Sequence, residues 1–333
     1  MKTSSNQDLP RRSDAGEDSS SKKIVILLLG GAQRVSLAQF LKKSGESLNH
    51  QVEIISYDFS LEVPIALEAR VIKGLSWSDP AAVDDIVATA EKYHVDIILP
   101  MVNEAIKVAA QSKERLPDVF IPVSGEEIAT ALSDKTQAAK IFKEAKFPIP
   151  KTYTVLSAIM PAIAKPRKGG SSKGIKIFHD MEDLMHLHNL QDYIVQEYIG
   201  HNKEYTVDAY IDKQGEIITI VPRERLEIIG GESVRTVTCR NPEIEDFSIK
   251  VIERFNLRGP VNLQFLHDLD NDRFLLMEVN PRLAGAVICS ILAGAPVTDF
   301  IIREALNLPL KPCNDWKEDT LLARYFKEAV FYN

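Results

Sequence analysis

Residues 258–285, RGPVNLQFLHDLDNDRFLLMEVNPRLAG, decide how the rest of the chain is read. Two alternating apolar runs, 261–267 and 274–280, flank a polar loop centred on Asn271, which predicts a β-hairpin. Pairing symmetric about Asn271 sets Gln264 opposite Glu278, Asn262 opposite Asn280 and Leu266 opposite Leu276, all on one face. Val261, Leu263, Phe265, Met277 and Val279 fall on the other face, toward a core. The first face gathers amide oxygens and a carboxylate, groups that are costly to bury without partners. A hard cation satisfies them. Mg²⁺ takes oxygen ligands and typically joins one or two protein carboxylates to phosphates, so so few protein charges point toward a nucleotide. Pro281 ends the strand, and Arg282 follows within reach of whatever the metal holds.

The 333 residues carry a formal net charge of −7, which predicts two or three globular domains and argues against a general nucleic-acid binder. A local basic site for an anionic ligand stays open. Cys239, Cys289 and Cys313 have neither pairing nor metal-ligand spacing and read as reduced thiols of a cytoplasmic protein. The apolar runs 24–29 and 287–297 are too short or too glycine-interrupted to span a bilayer, so no membrane anchor is expected. Residues 1–21 are polar and serine-rich, lack the apolar core of a secretory signal, and are expected to be a disordered tail. His179, His186, His188, His201 and His267 form no zinc or triad spacing.

From residue 22 the chain reads as a buried strand, a glycine turn and an amphipathic helix to Gly45, with further strands at 52–56 and 97–100. Asp79-Pro80 is placed to cap a helix running toward His94. The expectation is a doubly wound α/β domain over residues 22–124. Gly30-Gly31 is a structural turn, because its spacing is not that of a dinucleotide fingerprint. Asn103 and Glu104 follow the strand end at Pro100, where such sheets present ligand groups; alternatively they only start the next helix. Ser133 or Asp134 can cap a helix through Lys146. Lys135 lies in its first turn, where a nearby anion would offset the unfavourable helix dipole, unless the lysine is simply solvated.

Residues 162–178, AIAKPRKGGSSKGIKIF, predict two short strands around a basic, glycine- and serine-rich loop. Such a loop lets backbone amides approach a phosphate, with Lys165 adding a charge at the strand end, or it is only a mobile turn. It is no Walker A loop, since a strand rather than a helix follows. Glu197 ends an apolar strand, where it could accept from a purine amine with the backbone at Tyr198 and Ile199 serving the ring edge. Glu204 could accept from ribose hydroxyls; both glutamates could equally be surface charges. Arg223 and Arg225 share one strand face and could bind an oxyanion or pair with neighbours. Residues 230–233 are expected to be a loop, 242–255 a helix, and 283–293 and 297–306 the closing helices.

Taken in order, these pieces resemble the ATP-grasp superfamily, and most of all single-unit relatives of the carbamoyl phosphate synthetase large chain. The resemblance runs from residue 22 to about 310. Its strongest motif is Gln264 followed by M-E-V-N-P-R at 277–282. Asp134-Lys135, the flap from Lys165 to Gly174, Glu197 with Ile199, and K-E-Y at 203–205 support it in the family's order. It implies an α/β pre-ATP-grasp domain, a small flap-bearing α+β subdomain (residues 125–198) and a larger α+β subdomain with the metal hairpin (199–333). Lys135 and Lys165 would contact ATP phosphates under a flap of Gly169, Gly170, Ser171 and Ser172. Glu197 and Ile199 would hold adenine and Glu204 the ribose. Gln264, Glu278 and Asn280 would hold Mg²⁺ or Mn²⁺, and Arg282 would stabilise the transferring phosphoryl group.

The implied reaction activates a carboxylate as an acyl phosphate for attack by an amine, with small-molecule acid and amine substrates contacted by Asn103, Arg223 and Arg225. Phosphoryl transfer needs positioning and charge neutralisation more than a nucleophile with a base, and that is what this chain offers. The alternatives are carbamoyl phosphate synthetase-like phosphorylation of bicarbonate or carbamate, and an ATP-binding regulatory module without turnover. Many relatives form dimers, so a homodimer is expected. Two departures stand out: the full synthetase large chain has two ATP-grasp units against one here, and many relatives have glutamate where Gln264 stands.

Overall fold

The computed structural model describes residues 23–170 and 173–332. Its first unit is built around β1 (Lys23–Leu29), whose unbroken apolar run is buried on both faces as a central parallel strand requires. With β2 (Gln51–Asp58), β3 (Arg70–Lys73) and β4 (Ile97–Pro100) it forms a parallel sheet of order β3-β2-β1-β4. Ile24, Ile26 and Leu28 face α1 (Val35–Ser47), while Val25, Leu27 and Leu29 face α2 (Ala82–Tyr93) and α3 (Asn103–Ser112). This is the doubly wound domain expected from the sequence. Gly30 turns the chain out of β1 at φ +81°, and a Cβ there would meet Val102 at 2.9 Å.

Two helices follow, α4 (Glu126–Leu132) and α5 (Lys135–Glu144), and Asp134 caps α5 by accepting from the Thr136 and Gln137 amides. A small antiparallel sheet of order β5-β8-β6-β7 comes next: β5 (Thr152–Tyr153), β6 (Ala162–Pro166), β7 (Lys176–Phe178) and β8 (Tyr193–Glu197). It has its own core with α6 (Met181–Met185), where Ala162, Ala164, Leu184 and Val195 meet.

The largest sheet has order β13-β12-β9-β10-β11-β14 and is antiparallel throughout. Its strands are β9 (Asn202–Ile211), β10 (Ile217–Ile229), β11 (Glu232–Thr238), β12 (Gly259–Asp268), β13 (Arg273–Asn280) and β14 (Leu321–Ala323). One face packs on α4, α5 and α7 (Pro242–Arg254) through Val207, Leu263, Phe265, Phe142 and Phe247. The other carries polar side chains toward a cleft. α8 (Ile288–Leu292) and α9 (Val297–Ala305) return to the first unit, so that Phe300, Ile301 and Tyr210 share a core with Ile26, Leu28 and Leu41. Among the described residues no helix is long and apolar enough to cross a membrane.

The predicted hairpin is β12–β13. Gln264 pairs with Glu278 and Asn262 with Asn280, as symmetric pairing requires. Beyond them the register shifts: Phe265 pairs with Leu276, and Leu266 with Leu275 instead of Leu276. Met277 is the extra residue of a β-bulge, which sets two residues of one strand against one of the other. Asp268 and Arg273 close the turn as a paired couple, and Asp268 accepts from Asn271 Nδ2 at 2.9 Å and Arg273 Nε at 2.8 Å.

Other boundaries differ from expectation. α2 starts at Ala82 after an Ala81 cap, since Asp79 accepts from the Ala81 amide one step too early to cap it. α5 stops at Glu144, with Lys146 in the left-handed region. The 230–233 loop is a tight β10–β11 turn at Gly230 and Gly231, both at positive φ, with Glu232 and Ser233 already in β11. The helix expected over 283–293 is confined to α8, because the chain at Leu283 and Ala284 is held as an irregular buried segment. β3, a short strand without clear alternation, was not anticipated by the pattern. The expected disordered tail lies outside the described residues.

Candidate functional site

A single cleft joins the three parts of the molecule and is lined by nearly every residue singled out from the sequence. Its floor is the polar face of the large sheet. Glu278, Gln264, Thr206 and Arg223 form one row across β13, β12, β9 and β10, and Asn280, Asn262 and Asp208 form the next. Side chains two apart on each strand share a face, so the rows are stacked beside one another. Asn262 donates to Thr206 Oγ1 at 2.6 Å and Asp208 Oδ1 at 3.2 Å. Gln264 and Asn280 make no side-chain hydrogen bond among the described residues, although Asn280 is buried. Their amide oxygens, with the Glu278 carboxylate between them in register, are a donor set suited to a hard divalent cation. No cluster of three acidic, histidine or cysteine side chains occurs among the described residues, so such an ion would rest on amides and one carboxylate.

Arg282, following β13, is fixed by two acceptors: Asn103 Oδ1 at 2.6 Å from Nε, and the Leu283 carbonyl at 2.8 Å from Nη1. Burial lowers its pKa, opposed by Glu278, Glu232, Glu104 and Asp208. Asn103, at the start of α3, also donates from Nδ2 to Glu278 Oε1 at 3.4 Å. The doubly wound sheet thus presents Asn103 at the carboxyl end of β4, directly against the β12–β13 hairpin.

The wall opposite is the small sheet. Lys165 on β6 lines the cleft with no ion pair or side-chain hydrogen bond among the described residues. Burial lowers its pKa, against the pull of Glu278 and Glu204. Lys135 donates from Nζ to the Gly169 carbonyl at 2.8 Å, tying α5 to the flap that Gly169 and Gly170 carry over the cleft. Ser171 and Ser172 lie outside the described residues. Asp134 holds Arg167 at 2.8 Å and the Lys135 amide donates to the Arg167 carbonyl at 2.9 Å, so α5 and the flap stem are one structure.

Glu197 lines the cleft but already accepts from the Lys151 amide at 2.8 Å and Arg273 at 3.2 Å. Ile199 accepts from Asn202 Nδ2 at 2.7 Å through its carbonyl. Leu266 and Met277 place apolar surface near them. Glu204 is paired with Arg225 at 2.7 Å, and Arg225 also donates to Ser233 Oγ and the Gly231 carbonyl. Arg223 is only 1% exposed, held by Asp208 at 2.9 Å and by Thr236. Its ion pair supports the floor, whereas Arg225 reaches the cleft wall.

Sequence reasoning did not single out Arg34, Thr206, Asp208 or Glu232, which also belong to this region. The rule that pointed to Asn103, that parallel sheets present ligand groups at the carboxyl ends of their strands, applies equally to Arg34 after β1.

A family model described as "ATP-grasp in the biosynthetic pathway with Ter operon" matches residues 189–327. The carbamoyl phosphate synthase large chain of Methanobrevibacter smithii is 24% identical over 290 residues, which cover 77% of this chain and 27% of that protein. The arginine-specific large chain of Lactiplantibacillus plantarum is 23% identical over 287 residues, covering 76% and 28%. The chain therefore spans about a quarter of the length of these relatives. Among solved structures, the biotin carboxylase domain of Hydrogenobacter thermophilus 2-oxoglutarate carboxylase, a dimer in complex with MgADP, ADP and bicarbonate, superposes with a TM-score of 0.72. That match has 16% identity and covers 89% of this chain and 73% of that one. N5-carboxyaminoimidazole synthetase from Staphylococcus aureus complexed with ADP gives a TM-score of 0.71 at 19% identity, covering 89% and 80%. Fold, motif order and these likenesses agree: residues 189–327 match an ATP-grasp family model, the whole chain has the fold of these solved structures, and it is distantly similar to the carbamoyl phosphate synthase large chain.

Proposed function

We propose that the protein is an ATP- and Mg²⁺-dependent carboxylate–amine ligase. The observation that carries this reading is the convergence of Glu278, Gln264 and Asn280 with a half-buried, doubly anchored Arg282 and an unpaired Lys165 in one cleft. ATP lies between the small and large sheets, its adenine near Glu197 and Ile199, its ribose near Glu204, and its phosphates near Lys135, Lys165 and the Gly169–Gly170 flap. Gln264, Glu278 and Asn280 hold Mg²⁺ or Mn²⁺, which would neutralise phosphate charge and orient the terminal phosphoryl group.

A substrate carboxylate oxygen attacks the γ-phosphorus, and the bond to the β-bridging oxygen breaks to release ADP. Arg282, held in place by Asn103, offers its guanidinium to the transferring group without reorganising. The amine nitrogen then attacks the acyl carbon, the carbon–oxygen bond to phosphate breaks, and an amide, phosphate and a proton result. The amide donors and fixed cations of this cleft suit that chemistry, which needs no protein nucleophile.

Steady-state ADP release provides the test. It should require both an acid and an amine; Glu278→Gln should abolish it, while Glu197→Gln should mainly raise the ATP concentration needed. Tight ATP binding without ADP release across a broad panel of acids and amines would overturn the ligase reading and leave a nucleotide-binding module. The likeness to carbamoyl phosphate synthase and to carboxylases favours one second reading, phosphorylation of bicarbonate or carbamate, which bicarbonate-dependent ADP release would reveal. A homodimer in the cytoplasm is part of the same proposal, checked by light scattering and fractionation.

A further inference from the structure

The large sheet ends at β14, with no strand beyond it among the described residues. The Arg324 amide donates to the Val234 carbonyl at 2.8 Å, and the Thr320 carbonyl accepts from the Thr238 amide at 3.1 Å. Leu322, opposite Thr236, lies midway, so alternation turns the backbone groups of Thr320, Leu322 and Arg324 toward β11. Those of Leu321 and Ala323 are left on the open edge. The chain continues as residues 324–332, RYFKEAVFY, where Tyr325 is 84% exposed and Phe326 93%, with Val330, Phe331 and Tyr332 also exposed. From residue 325 to 332 no hydrogen bond or ion pair forms among the described residues. An open edge that runs into exposed apolar side chains is a template for pairing with another chain.

The charges of this segment favour a second copy of the same chain. Edge strands related by a two-fold axis pair antiparallel, and one residue at the centre faces its own copy. A centre at Arg324, Lys327 or Glu328 sets like charges directly opposite one another, which is destabilising. A centre at Tyr325 sets Glu328 against the partner's Leu322. A centre at Phe326 instead sets Arg324 opposite the partner's Glu328, Tyr325 opposite the partner's Lys327, Leu322 opposite the partner's Val330 and Leu321 opposite the partner's Phe331. Each pair occurs twice, and each is matched: charge on charge, ring on cation, apolar on apolar. The same register pairs the outward backbone groups of Leu321, Ala323 and Tyr325 with outward groups of the copy, so the open edge is satisfied.

We infer that residues 321–331 form the interface of a homodimer, two copies pairing antiparallel about Phe326 so that their large sheets join edge to edge. The inference rests on the homodimer proposed above and not on the ligase chemistry. Arg324 also holds the cleft residue Glu232 at 3.4 Å, and Glu232 lies 3.9 Å from Arg34. A guanidinium has donors enough for two carboxylates, so Arg324 links the interface to the rim of the cleft.

The test is sedimentation velocity of the full chain over a wide range of concentration, with two charge-reversed variants. Arg324→Glu and Glu328→Arg each set like charges opposite one another twice, so each should weaken dimerisation at least tenfold. Mixed in equal amounts, the two variants should dimerise with each other, because both cross-strand pairs are then of opposite sign. Oxidative cross-linking reads the register: Phe326→Cys faces itself within the span a disulfide accepts and should cross-link at least tenfold faster than Lys327→Cys, with the unaltered protein as control for the native thiols. A dimer indifferent to both charge variants, a mixture that fails to associate, or equal cross-linking at the two positions would overturn this interface and leave the homodimer standing. A monomer at every concentration would overturn both, and ADP release would still decide the ligase reading. Glu328 is exposed and makes no hydrogen bond or ion pair among the described residues, so its variant and the cysteine pair decide the matter even if Arg324→Glu, which also loses Glu232, fails to fold.

Discussion

Arg282 Nε donates to Asn103 Oδ1 at 2.6 Å, joining the exit of the β12–β13 hairpin to the first residue of α3 across 179 positions of sequence. The same Asn103 side chain donates to Glu278 at 3.4 Å. One amide thus orients both the cation proposed to meet the transferring phosphoryl group and the carboxylate proposed to hold the metal. Replacing Asn103 with Ala should leave Arg282 free to rotate. Hydrogen bonds to charged groups contribute about 1.5–3 kcal/mol, so kcat should fall roughly ten- to hundredfold. The melting temperature should change little, because Asn103 is only partly buried. A large loss of stability with normal kcat would make Asn103 a structural residue only.

Arg223 and Asp208 make a buried ion pair beneath the cleft, completed by Asn262, Ser290 and Thr236. Breaking such a pair strands a charge and costs about 3–5 kcal/mol. Arg223→Met or Asp208→Asn should therefore lower stability by that order in chemical denaturation. The double variant Arg223→Met, Asp208→Asn should cost less than the sum of the two single changes. Additive losses would show that the two side chains do not stabilise one another.

Lys165 supplies a pH dependence whose two readouts run in opposite directions. Burial holds its pKa below the ordinary lysine value, with Glu278 and Glu204 opposing. Between the folded and unfolded pKa values the unfolded chain binds more protons, so stability of the ligand-free protein should rise with pH through that window. Below it both states are protonated, and the full cost of burying the charge remains. ADP release should fall through the same alkaline window, because only the ammonium form neutralises phosphate. Lys165→Met should flatten the stability rise at high pH and leave only residual ADP release. An unchanged slope in thermal melts on the alkaline side, below the ordinary lysine pKa, would assign the titration elsewhere.

Gly259 opens β12 at φ +73°, and a Cβ there would stand 2.0 Å from the Pro122 carbonyl oxygen. Backbone cannot yield as a side-chain tip can, and the left-handed region is itself unfavourable for alanine. Gly259→Ala should lower stability by about 2–4 kcal/mol, measured by denaturant midpoint. A neutral result would mean that the joint between the first unit and the β12–β13 hairpin is looser than its packing suggests.

The parts legible from sequence were those written in alternation. Asn262, Gln264, Glu278 and Asn280 recur every second residue between apolar neighbours, so their register could be read without coordinates. The bulge at Met277 left no mark, because an apolar residue there suits either face. β3 was hidden for a related reason: its four residues, partly exposed at the sheet edge, carry no period. Arg34 and Glu232 were unreadable because their meaning lies in each other. A lone arginine after a glycine turn and a glutamate beside two glycines become a pair only when the chain brings α1 against the β10–β11 turn. Arg223 shows the converse. Its placement on the cleft face was legible, yet Asp208, which commits its guanidinium to the floor, is also a strand residue inside an apolar run.

The core shared by Ile26, Leu28, Leu41, Tyr210, Phe300 and Ile301 binds the first unit to the large sheet as one mass. The small sheet keeps a separate core around Leu184 and Val195. Apolar packing therefore divides the small sheet from the large one, and polar ties, Asp134 to Arg167 and Lys135 to the Gly169 carbonyl, are what bridge that seam. On the proposed reading, admission and release of a nucleotide would fall to the lighter partner, while Asn103, Glu278 and Arg282, joined by hydrogen bonds on the heavy side, would not need rebuilding at each cycle. The partition of apolar contacts would then divide the labour: one body to keep the proposed chemistry aligned, the other to keep time.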